Sequence, residues 1–71
     1  MKIRRASGLE QAYEYLTVYD AVFITDEIVI FSNEDNLMMA QVEVGGYAYG
    51  DFEGYPALVV SPSDYSRLEA L

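Results

Sequence analysis

From Ala6 to Ser66 this chain has no lysine or arginine, yet that 61-residue stretch holds eleven carboxylates: Glu10, Glu14, Asp20, Asp26, Glu27, Glu34, Asp35, Glu43, Asp51, Glu53 and Asp64. The only basic residues are Lys2, Arg4, Arg5 and Arg67, and the formal net charge is −8. Soluble surfaces ordinarily mix both signs, because self-repulsion disfavours a compact state. A fold built from these residues has to place nearly every carboxylate outside, with almost no positive side chain in its body to oppose them.

The interior must then come from the apolar half of the sequence. Ten of the 71 residues are aromatic, seven Tyr and three Phe, which supplies a core and argues against disorder. The length suits one domain, 1–71, burying about 60% of the surface its unfolded chain exposes. Without Cys, no disulfide or thiolate metal site braces it. No apolar run exceeds four residues, far short of the ~20 of a membrane span. The start, Met1-Lys2-Ile3-Arg4-Arg5, lacks the apolar stretch of a signal peptide, so a cytoplasmic location is expected.

Residues Lys2–Arg5 read as a short first strand. Ser7 and Glu10 fit a capping box, and Leu9, Ala12, Tyr13 and Leu16 recur at helical spacing, predicting a helix over 8–17. Ala21–Thr25 and Ile28–Ser32 are β-branched and aromatic without clean alternation, predicting strands covered on both faces. Asn33-Glu34-Asp35-Asn36 has turn composition. Leu37–Val44 alternates, with Met38, Ala40, Val42 and Val44 on one side and Met39, Gln41 and Glu43 on the other, which predicts a strand. Gly45-Gly46 marks a turn, Tyr47–Glu53 a strand, Gly54-Tyr55-Pro56 a turn and Ala57–Val60 a further strand. Ser61-Pro62-Ser63-Asp64 predicts a terminal helix with Pro62 in its first position and Tyr65, Leu68 and Leu71 as its buried stripe. The expected fold is α+β: an antiparallel sheet of four to five strands with two short helices, one near each terminus.

Several chemistries find no support. Without His or Cys, and with no Lys in the body, a nucleophile–base pair has no residues to use. A paired-carboxylate enzyme needs a cleft that shifts its pKa values, and a domain this small has little room for one. No enzymatic activity and no cofactor are expected. Asn33-Glu34-Asp35-Asn36 and Asp51-Phe52-Glu53 offer oxygen donors but lack the twelve-residue calcium-loop spacing, so no metal site is expected. The glycines do not form a phosphate-binding loop. Direct nucleic-acid binding requires a basic patch, and Lys2, Arg4 and Arg5 are too few against the acidic excess.

What remains is an anionic binding surface. Glu10 and Glu14 lie one helical turn apart, about 6 Å, a like-charge pair that costs a few tenths of a kcal/mol. In an extended segment, Tyr47, Tyr49, Asp51 and Glu53 share one face. Such carboxylates can enter an Arg/Lys channel built for a phosphate backbone, and tyrosine anchors interfaces and stacks on arginine. The expected partner-binding set is Glu10, Glu14, Asp26, Glu27, Glu34, Asp35, Glu43, Tyr47, Tyr49, Asp51 and Glu53.

In size, acidity, absence of Cys and His, and α+β pattern, the whole chain resembles the small phage-encoded anti-CRISPR proteins that act as nucleic-acid mimics. The class has no signature motif, so the resemblance assigns no residue a role. It implies a non-enzymatic inhibitor that covers the basic nucleic-acid-binding surface of a host protein, a CRISPR-Cas effector subunit, in a bacterial cytoplasm. The same properties resemble acidic restriction inhibitors, and immunity proteins or antitoxins that cover a basic toxin. Another alternative is a homodimeric module in which Val22, Phe23, Val29 and Phe31 pack against a second copy.

Overall fold

The two apolar runs at the centre of the sequence form the centre of the fold. In the computed structural model, which describes residues 1–71, Ala21–Phe23 is strand β2 and Ile28–Phe31 is strand β3, following β1 (Ile3–Arg5) and helix α1 (Leu9–Tyr15). Helix α2 (Glu34–Val44), strands β4 (Tyr47–Phe52) and β5 (Tyr55–Val59), and helix α3 (Asp64–Glu69) complete the chain. The strands make one sheet in the order β1-β2-β3-β5-β4.

Successive strand residues point to opposite sheet faces, and both faces are covered. Ala21, Phe23, Val29, Phe31 and Leu58 pack with Leu37, Ala40 and Leu68 of α2 and α3. Val22, Ile30 and Ala57 pack on the other side with Ala12 of α1 and Leu16 at its C-cap. The lack of alternation in these strands is thus the mark of a sheet buried from two sides. The homodimer expectation fails at its chosen residues: Val22, Phe23, Val29 and Phe31 are each at most 1% exposed within one chain.

The fold is α+β, but the sheet is mixed and the helices number three. β1 runs parallel to β2, with Ile3 opposite Ala21, while the other pairs are antiparallel. A parallel neighbour requires a crossover, and the segment containing α1 provides it. The predicted strand over Leu37–Val44 is instead most of α2. Its residues satisfy a helical period as well, since Leu37, Ala40 and Val44 form the inward stripe. Leu, Met, Ala, Gln and Glu favour helix. Asn33 decides the matter: its side-chain oxygen accepts the Asn36 backbone N–H at 2.9 Å, so the predicted turn at 33–36 is a cap and first helical turn. Asn33→Ala is expected to cost about 1 kcal/mol, read as a lowered urea midpoint with unchanged slope; an unaltered midpoint would mean the cap contributes nothing.

Smaller departures have local causes. Ser7 does not cap α1; its backbone N–H and hydroxyl both donate to the Gln11 side-chain oxygen, and Gly8 holds the cap position. Leu9 is 41% exposed, so Ala12 is the one buried residue within α1, with Tyr13 half-buried and Leu16 buried at the helix's C-cap. The predicted turn at 54–56 falls one residue earlier. Glu53 and Gly54 both adopt positive φ, 54° and 88°, in a two-residue hairpin turn. Pro56 therefore lies in β5, just past the last β3–β5 pair, Ile30 with Ala57. α3 begins at Asp64 rather than Pro62, and Leu71 stays exposed. Asp64 is the one buried charged residue. Its carboxylate accepts the Ser61 N–H at 2.9 Å and faces Arg67 Nη1 at 3.4 Å, which offsets the cost of burial.

Candidate anionic interface

The expected binding residues fall on two sides of the sheet, and an irregularity in β4 decides which side each takes. Ala48 pairs with Leu58 and Gly50 with Ala57, so Tyr49 is an extra residue in the edge strand, a β-bulge. Gly50 holds φ 125°, a conformation that side chains disfavour. The pairings put Ala48 and Asp51 on the α2 side with Leu58 and Pro56, and Tyr47 and Phe52 on the α1 side with Val59 and Tyr55. Tyr49 stacks on Phe52, ring centroids 5.5 Å apart and planes within 4°. The expectation that Tyr47, Tyr49, Asp51 and Glu53 share one strand face is therefore corrected. The bulge shifts the alternation and sends Asp51 to the opposite face, while Glu53 belongs to the hairpin turn.

On the α1 side an aromatic surface spans helix and sheet. Tyr13 stacks on Tyr55 at 5.6 Å and 22°, joining α1 to the β4–β5 hairpin. Tyr47 and Tyr49 extend the surface outward, 65% and 54% exposed. Glu10 and Glu14, both exposed, flank Tyr13 at −3 and +1 on α1, and Glu53 approaches it from the hairpin. Partial burial raises the Tyr13 phenol above its ordinary pKa of 10.0, and the Glu53 carboxylate and the Tyr55 phenol push it further the same way. A neighbouring anion disfavours the phenolate, so Glu53→Gln is expected to lower the Tyr13 pKa. A pH titration of the Tyr13 ring carbon by NMR measures this; an unmoved midpoint would place Glu53 away from the ring.

On the α2 side, Glu34 and Asp51 border a shallow cavity of about 280 Å³ with Leu37, Ala48 and Pro56. Asp35 is exposed in the first turn of α2. Glu43 ends that helix 3.8 Å from Arg67 Nη2, which also donates to the Glu43 carbonyl. Glu27 lines an open cleft of about 460 Å³ with Tyr47, Val59 and Asp64 at one end of the sheet. Asp26 is engaged by Arg5 at 2.9 Å. No three carboxylates converge closely enough to hold a metal ion, and no helix is long and apolar enough to cross a membrane.

The cations of β1 and of the residue before it are occupied at the far edge of the sheet. Arg4 lies over Tyr15 at 4.0 Å and Tyr19 at 5.4 Å, Lys2 over Tyr19 at 5.0 Å, and Arg5 over Tyr65 at 4.5 Å. The chain thus pairs tyrosine faces with guanidinium groups internally, while Tyr47 and Tyr49 have no such partner within it. The sequence reading missed Tyr13, Phe52 and Tyr55 as parts of this surface. Gly50 inside a strand pattern was the available signal, since such a glycine often marks a bulge. Protein-family models, curated proteins and solved structures offer no match to this chain.

Proposed function

We propose that this protein is a non-enzymatic inhibitor that covers a cationic, nucleic-acid-gripping surface of a host protein, a CRISPR-Cas effector subunit being the class that the resemblance to anti-CRISPR proteins implies. Glu10, Glu14 and Glu53 act as phosphate-like anions, and Tyr47 and Tyr49 receive arginine side chains from the partner. The observation that carries this reading is the α1 side of the sheet, where Glu10 and Glu14 flank Tyr13 on α1, Glu53 lies near the Tyr13 ring, none of the three has a Lys or Arg ion pair, and Tyr47 and Tyr49 stand exposed on β4. The Arg4–Tyr15 stack is the same pairing made within the chain. Asp51, Glu34 and Asp35 add long-range attraction from the other side, which speeds encounter and weakens with salt.

The test is displacement of a labelled DNA duplex from purified CRISPR effector complexes, followed by fluorescence anisotropy. The wild-type protein is expected to release the duplex at low salt. A Glu10→Lys/Glu14→Lys/Glu53→Lys variant is expected to require at least ~10-fold more protein, consistent with the loss of close charge pairs. Failure to release DNA from any effector tested, or equal potency of the variant, would overturn the reading.

A further inference from the structure

A surface helix ordinarily turns a polar face to water, but α2 carries three apolar side chains among the acidic ones on its exposed face. Its inward stripe is Leu37, Ala40 and Val44. Its outward stripe, at +3, +4 and +7 from Asp35, is Met38, Met39 and Val42, which are 58%, 51% and 90% exposed. Each of the three is thus more than half open to solvent. We propose that this outer face is a second docking surface, and that its occupant is a cationic amphipathic helix of a partner protein, laid along α2.

Charge selects that occupant. α2 contains Glu34, Asp35 and Glu43 and no lysine or arginine. Two copies paired through this face would set acidic helix against acidic helix in either orientation. Arg67, the nearest cation, is already engaged by Asp64, the Glu43 carboxylate and the Glu43 carbonyl. An anionic bilayer is repelled by the same carboxylates, whereas interfacial membrane helices are rich in Lys and Arg. A helix with a two-turn apolar seam and flanking Lys or Arg satisfies both the seam and the acids, as flanking charges do in paired helices. The methionines adapt their shape to such a seam. This surface lies across the sheet from the Tyr47/Tyr49 surface and stands independently of it.

The test titrates the full chain, with labelled Met and Val methyl groups, against a synthetic helical peptide carrying a leucine seam flanked by lysines. A peptide of the same pattern with glutamates is the control. Saturable methyl shifts at Met38, Met39 and Val42 are expected with the lysine peptide only. Met38→Gln/Met39→Gln/Val42→Ser, which preserves net charge, is expected to weaken binding at least tenfold; Val42→Ser alone, at the most exposed of the three sites, is expected to weaken it measurably. The Glu10/Glu14/Glu53 lysine variant is expected to leave the methyl response in place. Shifts centred elsewhere, or undiminished binding by both seam variants, would reduce the effect to general adsorption and overturn the proposal. So would methyl shifts that follow protein concentration alone, with a dimer in sedimentation.

Discussion

Phe31→Ala is expected to lower the urea midpoint of this protein more than any other single substitution proposed for it. Phe31 is fully buried in β3, within the cluster that joins the sheet to α2 and α3. Removing a buried phenyl ring costs about 3–5 kcal/mol through lost transfer energy and the cavity left behind. A domain of this length has roughly 4–10 kcal/mol of total stability, so one substitution consumes a large part of it. Urea denaturation followed by circular dichroism reads the loss, with Tyr47→Ala, at an exposed position, expected to stay within about 0.5 kcal/mol of wild type. Equal midpoints for Phe31→Ala and wild type would mean that this cluster does not hold the fold together.

Gly46→Ala is expected to cost about 2–4 kcal/mol, combining left-handed backbone strain with a steric clash. Gly46 has φ 65°, and a β-carbon placed there would lie 2.6 Å from the Val59 carbonyl oxygen. Val59 is paired with Ile28 on one side and Tyr47 on the other, so that carbonyl has little freedom to retreat. The adjacent Gly45→Ala is the internal control. Gly45 also has positive φ, 79°, but its β-carbon would meet open space, leaving only the conformational cost of about 1–2 kcal/mol. Thermal unfolding separates the two, since 1 kcal/mol shifts the midpoint of a domain this size by about 4–8 °C. Identical shifts would remove the close approach between Gly46 and β5 from the account.

Where a segment's pattern admitted one period only, the sequence was sufficient. The unbroken apolar runs of β2 and β3 implied cover on both faces, and both are covered. Residues 37–44 admit two periods. Met38, Ala40, Val42 and Val44 alternate, but Leu37, Ala40 and Val44 also follow a helix, and the outward stripe is itself apolar. The usual contrast between a greasy and a polar helix face was therefore missing, and helix propensity together with the Asn33 cap distinguished the alternatives. The parallel β1–β2 pair was hidden for another reason. Parallel pairing requires two strands separated by a crossover to meet, which no local pattern records. At the candidate site, the carboxylates and tyrosines were legible by type, but their side of the sheet depended on a single extra residue in β4. The Tyr13–Tyr55 stack brings together residues 42 positions apart in sequence, through packing alone.

The placement of Arg4 and Arg5 on an edge strand, with Lys2 just before it, has a consequence for proteolysis. A cut just before Ala6 would strip away three of the four cations in one event, leaving a lone arginine against twelve acidic side chains. The same cut would unroof Tyr15, Tyr19 and Tyr65, lay bare the β2 edge and withdraw Ile3 from the interior. Nicking at this one place would thus couple a jump in self-repulsion to the loss of a sealing strand, making the first five residues a fuse for the whole fold.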